Sequence, residues 1–202
     1  MPELTEDTAF DDTAFHDDDW YAEELVDRQF VRCSFQRVDL TEALTQGAVF
    51  TECDFGSVRF NASRHAASAF IRCTFRRCNF FDAEFTGCKL VGSTFTDCDL
   101  RPLRVDGGDW SFVTLTRADL RDARFTGARM READLTGADL TDATVTGVDL
   151  SGAQLDGCRL TRADLRGSDL SALDPSTVER AGALIDPEQA VVLAQALGFR
   201  IG

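Results

Sequence analysis

Large apolar side chains recur at every fifth residue between Phe30 and Leu170. Of the 29 positions in this series, all but Thr45 and His65 are Phe, Leu, Val, Met or Trp, and a small residue stands two positions before 27 of the 29. A helical stripe recurs every 3.6 residues and a strand alternates every two, so neither explains a period of five. The pattern indicates a repeated quarter-turn with two side chains inward and three outward.

Four such units close a square coil of about 20 residues, and a fixed repeat of this kind is typical of a solenoid. Glycine recurs at one corner when the chain is wrapped into these coils, with a single gap at Ala67. This recurrence predicts a backbone turn with positive φ at that corner. The glycines are Gly47, Gly87, Gly107, Gly127, Gly147 and Gly167.

The runs 118–122, 133–137 and 138–142 (ADLRD, ADLTG and ADLTD) match the A(D/N)LXX motif, so the chain resembles the pentapeptide repeat proteins over residues 28–172. The resemblance implies an all-β solenoid, a right-handed quadrilateral β-helix of about seven coils. Seven central residues are expected to be core: Phe30, Phe35, Phe70, Phe75, Leu120, Leu135 and Leu140.

Segments outside the motif add a narrower resemblance. Residues 68–75, 98–103 and 183–191 are similar to the mycobacterial fluoroquinolone-resistance (MfpA-like) proteins, which are related to the Qnr proteins. Members are dimeric rods that imitate B-DNA and act on DNA gyrase. The resemblance implies a homodimer that competes with DNA for gyrase, at the DNA-binding saddle of the A subunit or the ATPase domain of the B subunit, and protects it from fluoroquinolones.

The net charge of −14 is concentrated at the N-terminus, because residues 1–27 hold eleven acidic residues and no Lys or Arg. This composition predicts an acidic extension over 1–27, mobile to about residue 19. Either a solubilising leader or an added phosphate-mimicking arm would explain it. Because no apolar run is long enough to cross a membrane and the N-terminus is acidic, we expect a cytoplasmic protein without membrane contact.

No motif for catalysis, metal or cofactor binding occurs, which predicts a non-enzyme that needs no cofactor and does not itself bind nucleic acid. His65 stands at an inward position and is expected to be a satisfied core group. All seven cysteines also fall at the inward site two residues before a central residue, where a buried Cys serves as a small hydrophobe. They are Cys33, Cys53, Cys73, Cys78, Cys88, Cys98 and Cys158.

Acidic residues form two adjacent columns when the chain is wrapped into coils. Phosphate imitation is one interpretation, since duplex DNA carries one charge per about 1.7 Å. The other is that these carboxylates satisfy turn donors while arginines neutralise them across coils. The resemblance favours imitation, and the proposed gyrase-facing ladder consists of Asp82, Asp99, Asp119, Asp122, Asp139 and Asp142.

The period ends after Leu173, and residues 173–202 are predicted to cap and dimerise the solenoid. An Asp-Pro pair opens a helix predicted over Pro187–Leu197. More apolar surface follows than a small cap buries, which predicts symmetric pairing. The expected interface residues are Val191, Leu193, Leu197 and Phe199.

Inside the solenoid, Pro102 and Leu103 break the repeat and predict a local disturbance over residues 101–108. Two functional alternatives remain beside the gyrase hypothesis. One is a scaffold or protein-interaction rod without a gyrase partner, and the other is an immunity protein against a gyrase-poisoning peptide.

Overall fold

Short parallel strands stack into three sheets in the computed structural model, which describes residues 8–202. The first sheet is ordered β1 (Ala9–Asp11), β4 (Gln29–Val31), β7 (Val49–Thr51) and β10 (Ala69–Ile71). The second is ordered β13 (Thr94–Thr96), β11 (Thr74–Arg76), β8 (Asp54–Gly56), β5 (Ser34–Gln36) and β2 (Ala14–His16). The third is ordered β16 (Thr144–Thr146), β15 (Arg124–Thr126), β14 (Arg104–Asp106), β12 (Glu84–Thr86), β9 (Arg64–Ala66), β6 (Leu44–Gln46) and β3 (Glu24–Val26).

In every sheet each residue pairs with the residue four pentapeptides away in the sequence, so that Phe30 lies between Phe10 and Phe50. A fourth side of the coil has no extended strands and is held by single bridges with the same register, running from Asp19 to Glu179. The chain therefore forms the four-sided parallel β-solenoid expected from the period of five. Within residues 8–202, no helix is long and apolar enough to cross a membrane.

Aromatic rings fill the first half of the core in two continuous stacks. Phe30, Phe50 and Phe70 stack with ring centroids 4.6–4.7 Å apart, and a second stack continues from Phe15 to Phe95 on the next side. After Phe125 the central residues are Leu, Val and Met. These aliphatic side chains surround a narrow apolar void of about 20 Å³. The seven named core residues are all buried, with at most 4% exposure: Phe30, Phe35, Phe70, Phe75, Leu120, Leu135 and Leu140.

The corners of the coil have positive φ two residues after most central residues. The six recurring glycines all adopt it, with φ between 61° and 73°, as predicted, and so does Ala67 at 48°. The other three corners do the same, mostly with residues other than glycine, for example Arg37, Glu42 and Arg72. Most quarter-turns therefore use a residue with positive φ. Glycine adopts this conformation with the least steric strain, and it occupies one of the four corners in most coils.

The prediction of an acidic extension over residues 1–27 is wrong from Thr8 onward, because the coil already includes this segment. Strands β1, β2 and β3 pair in register with β4, β5 and β6. Phe15, Trp20 and Leu25 are buried. The period of five extends to these residues, but their acidic neighbours hid it. The part of the prediction that concerns residues 1–7 lies outside the described residues.

The coil also continues past Leu173, with bridges from Arg159 to Glu179 and from Asp164 to Leu184. One helix follows, α1 (Pro187–Ala196), one residue shorter than predicted because Leu197 is its C-cap. Asp186 caps it in a reciprocal capping box with Gln189. The buried Gln189 amide donates to the carbonyl oxygens of Leu165 and Ser168 at 2.6 and 2.8 Å, which fixes the helix on the last coil.

Candidate functional site

The bridge side of the solenoid carries the highest density of acidic residues. Its three outward columns, from residue 19 to residue 182, hold ten acidic residues and five arginines. The acidic residues are Asp19, Asp39, Glu42, Asp82, Asp99, Asp119, Asp122, Asp139, Asp142 and Glu179. We call this side, with the arginines Arg59, Arg101, Arg121, Arg159 and Arg162, the acidic face.

Local turn chemistry positions its first column. The carboxylate before each central Leu accepts a hydrogen bond from the backbone N–H two residues later, for example Thr41 to Asp39 and Thr141 to Asp139, both at 3.0 Å. Asp99 and Asp119 accept longer bonds from Arg101 and Arg121, at 3.4 and 3.3 Å. The turn interpretation therefore describes these carboxylates, and it leaves each with a second oxygen that the turn does not use.

Arginines neutralise a large part of the face. Across adjacent coils, Arg162 pairs with Asp142 at 2.5 Å and Arg159 with Asp139 at 3.1 Å. Arg121 pairs with Asp119 of its own turn at 2.6 Å. Asp82 pairs with Arg104 of the neighbouring side at 2.7 Å. Four of the six proposed ladder residues are therefore ion-paired, whereas Asp99 and Asp122 form no ion pair within residues 8–202.

These contacts lower the pKa values of three carboxylates on the acidic face. Hydrogen bonding to Arg121 lowers the pKa of Asp119, and hydrogen bonding to Arg162 lowers the pKa of Asp142. Partial burial acts to raise the pKa of Asp139, but its hydrogen bonds with Thr141 and Arg159 outweigh burial and lower it. All three carboxylates are therefore charged at neutral pH.

The ladder is interrupted between Asp99 and Asp119. Bridges join residue 79 to 99 and 119 to 139, but none joins Asp99 to Asp119 among the described residues. The backbone N–H groups of Asp97, Leu100 and Asp119 lack the cross-coil bonds that their equivalents form elsewhere. Backbone hydrogen bonds between the two coils continue on both sides of the gap. The N–H of Phe95 bonds the carbonyl of Thr114, and the N–H of Arg124 bonds the carbonyl of Leu103.

The gap opens a groove of about 440 Å³. It flanks the disturbance predicted over residues 101–108 and does not include it, because its lining falls within residues 95–100 and 114–119. Within 101–108 the Arg101–Pro102 peptide is cis and Pro102 has no N–H to donate, but the Asp82 N–H still bonds to the carbonyl of Pro102. The proposed ladder is thus two groups of carboxylates separated by a groove. The groove is lined by Phe95, Thr96, Asp97, Cys98, Leu100, Thr114, Thr116, Arg117, Ala118 and Asp119.

The apolar residues expected at a dimer interface lie on and after α1. Val191 and Leu197 are 41% and 48% exposed, and Phe199 is 65% exposed. Leu193 differs, because it is partly buried against the solenoid core. Leu184, Val192 and Ile201 are also exposed and add apolar surface at this end of the rod.

His65 is completely enclosed in the core. Its Nδ1 lies 2.9 Å from Thr45 Oγ1 and its Nε2 lies 3.0 Å from Ser63 Oγ. Burial lowers its pKa to about 3. The two residues that break the apolar series, Thr45 and His65, therefore satisfy one another, together with Ser68, which is hydrogen-bonded to Thr45 at 2.8 Å.

The cysteines are free thiols, and six of the seven are buried, Cys98 being the partly exposed one. Within residues 8–202, no group of three or more His, Cys, Asp or Glu side chains is arranged to hold a metal ion. Sequence reasoning did not identify the groove, although it did anticipate arginines that neutralise the acidic columns across coils. The signal for the arginines was available, since Arg162 follows Asp142, and Arg159 follows Asp139, by one full coil.

Comparison with solved structures finds the same architecture. A trypsin-treated variant of QnrB1, a plasmid-mediated fluoroquinolone resistance protein, superposes with a TM-score of 0.75 at 20% identity, covering 96% of this chain and 100% of that one. Full-length QnrB1 gives a TM-score of 0.54 at 19% identity, covering 95% and 90%. At this identity the likeness concerns the fold. No curated protein sequence matches the chain significantly.

Two family models match the sequence, one described as pentapeptide repeat region over residues 78–155 and one as pentapeptide repeats (8 copies) over residues 29–64. Together they cover more than half of the chain, and both describe a repeat architecture. With the four-pentapeptide register and the buried central Phe and Leu, they establish that the chain belongs to the pentapeptide repeat proteins.

Proposed function

We propose that the protein binds DNA gyrase in the cytoplasm through its acidic face, competing there with DNA and so modulating gyrase and protecting it from fluoroquinolones. The observation that carries this proposal is the alignment of ten carboxylates with five arginines on one side of the rod, in two stretches separated by the groove. Nine rungs at about 4.8 Å extend this side over about 40 Å. That length is comparable to about 12 base pairs at 3.4 Å each.

The ion pairs on the face are compatible with this role because they are weak. The arginine partners of Asp139 and Asp142 are 57% and 61% exposed, and exposed pairs contribute about 0–1 kcal/mol. A basic protein surface can therefore displace these side chains at little cost, and each displacement frees a carboxylate. Electrostatic complementarity of this kind raises the association rate and fixes orientation.

The fold likeness to QnrB1 supports the direction of the proposal, since QnrB1 is a fluoroquinolone resistance protein. We further propose a homodimer joined through the apolar surface of α1 and the residues after it. Symmetric pairing would cover Val191, Leu197 and Phe199, which are otherwise exposed. The Leu197→Asp, Phe199→Asp double variant should sediment as a folded monomer. A wild-type protein that is already monomeric at micromolar concentration would exclude this interface.

Gyrase supercoiling, measured with and without ciprofloxacin as the protein is titrated, tests the main proposal. The test variant replaces Asp99, Asp119, Asp122, Asp139 and Asp142 with Asn, which removes charge but keeps an acceptor for the turns. The matched control changes five acidic residues on the opposite side, Glu52 and Glu132 to Gln and Asp109, Asp149 and Asp169 to Asn. We expect the test variant to bind gyrase more weakly and with less salt dependence, and the control to act like wild type.

Equal loss in both variants would indicate that total charge matters and not this face. An unchanged test variant would remove the face from the mechanism. A protein that affects neither supercoiling nor ciprofloxacin-induced cleavage would fit an interaction rod without a gyrase partner. Protection against a gyrase-poisoning peptide but not against ciprofloxacin would favour the immunity alternative.

A further inference from the structure

The groove lies at the edge between the second sheet and the acidic face, and it gives solvent access to one cysteine. Cys98 occupies the same inward position as the other six cysteines, but it lines the groove and is partly exposed, whereas they are buried. Its thiol bonds the carbonyl oxygens of Phe75 and Thr96, each at 3.5 Å, and the second of these contacts is exposed. The missing backbone pairing between residues 97–100 and 116–119 is what uncovers it.

A second cysteine lies directly behind it. Cys78 stands one coil earlier in the same inward column, and the N–H of Asp99 bonds the Cys78 carbonyl at 3.0 Å, so the two residues occupy paired rungs. Neighbouring strands are about 4.8 Å apart, within the Cα separations of about 4.4–6.8 Å that disulfides span. Cys78 itself is 1% exposed, so reagents reach this pair from the Cys98 side.

We propose that Cys98 is a site of oxidation by hydroperoxides and that Cys78 is the thiol that resolves it into a disulfide between coils. This reaction is separate from the proposed gyrase binding and does not depend on it. Because Cys98 adjoins Asp99 and lines the groove with Asp119, the modification would take place at the edge of the acidic face.

The chemistry balances in two steps. The Cys98 thiolate attacks the terminal peroxide oxygen, an S–O bond forms and the O–O bond breaks, leaving a sulfenic acid and releasing the alcohol, or water from hydrogen peroxide. Cys98 is oxidised by two electrons and the peroxide is reduced. The Cys78 sulfur then attacks the Cys98 sulfur, an S–S bond forms, the S–O bond breaks, and the hydroxyl leaves as water with the Cys78 proton. Two thiols and one hydroperoxide thus give one disulfide, one alcohol and one water.

The environment of each thiol agrees with these roles. Interaction with the neighbouring Cys78 thiol lowers the pKa of Cys98, while the same interaction and burial raise the pKa of Cys78. Hydrogen bonding with Cys73 lowers the pKa of Cys53 in the same way, so it is access through the groove that distinguishes Cys98. Cys53 and Cys73 stack in the same way in an unbroken part of the coil, but both are buried and neither lines the groove. They provide a natural control pair.

Peptide mapping after exposure of the folded protein to hydrogen peroxide tests the proposal, with dimedone present to trap sulfenic acids. The wild type should form a Cys78–Cys98 disulfide, and Cys78→Ser should accumulate dimedone on Cys98 instead. Oxidation at Cys98 should be at least about tenfold faster than at Cys53, which reacts only after local opening. Cys98→Ser should abolish the fast phase, whereas Cys53→Ser should leave it unchanged.

Serine is a suitable replacement because Ser63, Ser68 and Ser93 already occupy inward positions of this type. Far-UV circular dichroism and the melting temperature of each variant establish that it is folded. Uniform labelling of the seven cysteines, or fastest labelling at another one, would overturn the assignment of Cys98. A stable sulfenic acid on Cys98 in the wild type, or a disulfide between two Cys98 residues of different chains, would overturn the role of Cys78.

Discussion

Protonation of His65 should make the solenoid lose stability between pH 6.5 and pH 5. The ring is fully buried, and burial lowers its pKa from 6.5 to about 3 in the folded protein. Between these two values the unfolded chain binds a proton that the folded chain does not. Stability therefore rises with pH in this window, and it falls as the solution is acidified below pH 6.5. Above pH 6.5 the contribution is constant.

The size of the effect follows from the width of the window. Each pH unit costs about 1.4 kcal/mol of unfolding free energy, so about 2 kcal/mol is lost at pH 5 relative to pH 7. For a chain of this length that corresponds to a decrease of about 4–8 °C in melting temperature. Carboxylates with lowered pKa, such as Asp119 and Asp142, contribute at lower pH, because their stabilisation is lost only as pH falls through and below about 4.

Urea unfolding at fixed protein concentration, followed by the fluorescence of the buried Trp20 and Trp110, measures the effect. His65→Leu should remove the loss between pH 7 and pH 5. Its former partners remain bonded, since Ser63 Oγ donates to the Phe60 carbonyl and Thr45 Oγ1 to Ser68. His16→Gln, at an exposed site, is the control and should behave like wild type. Parallel pH profiles for wild type and His65→Leu would refute the reasoning, because they would show that His65 protonates equally well in both states.

Two pairs of substitutions and one deletion test the packing of the coil. Gly108→Ala should lower the unfolding free energy by about 3 kcal/mol or more, because the added Cβ overlaps the Cys88 carbonyl. Gly127→Ala has open space around the added Cβ and should lower it by only about 1 kcal/mol, because of its φ of 62°. Phe55→Ala should cost about 4 kcal/mol and Leu155→Ala about 2 kcal/mol, because Leu155 already borders a void. Urea unfolding measures both pairs, and equal losses within a pair would contradict the packing described for it. Deletion of residues 1–19 should lower the melting temperature by several degrees in thermal scans, since it removes Phe15 from its stack on Phe35; an unchanged melting temperature would contradict the inclusion of this coil in the core.

The sequence was sufficient for the repeat because a five-residue quarter-turn leaves a periodic record. Each central position must be large and apolar, and each inward neighbour small, so the four-pentapeptide register could be predicted between Phe30 and Leu170. The apolar half of this rule applies to Phe10, Phe15, Trp20 and Leu25, whereas Asp18 and Glu23 stand at the inward positions before Trp20 and Leu25. There the outward positions are so acidic that composition suggested a solvated tail, although outward side chains do not determine whether the inward ones pack.

The groove and the ion pairs depend on contacts that no local pattern specifies. Pro102 and Leu103 indicated a disturbance, but its extent depends on which cross-coil bonds fail, and those involve Asp97 and Asp119, at ordinary repeat positions. The pairing of Arg162 with Asp142 requires both the register of the coil and side-chain rotamers that reach along the surface. The sequence thus predicted the position of each carboxylate better than its electrostatic environment.

The inclusion of the N-terminal residues in the coil changes how the charge of the rod is distributed. Eight acidic residues between Asp11 and Asp27 lie on the first coil, where Arg32 and Arg37 of the next coil pair with Asp11, Asp12 and Asp17. Their charge is therefore fixed at one end of the rod and is not spread over a flexible arm. With a screening length of about 8 Å at physiological salt, this end acts only on a surface that it nearly touches. Of these eight residues only Asp19 also belongs to the acidic face, and the stretch of that face from Asp99 to Asp142 lies four coils or more away. The charge of the first coil and the charge of that stretch should therefore contribute separately to the salt dependence of binding.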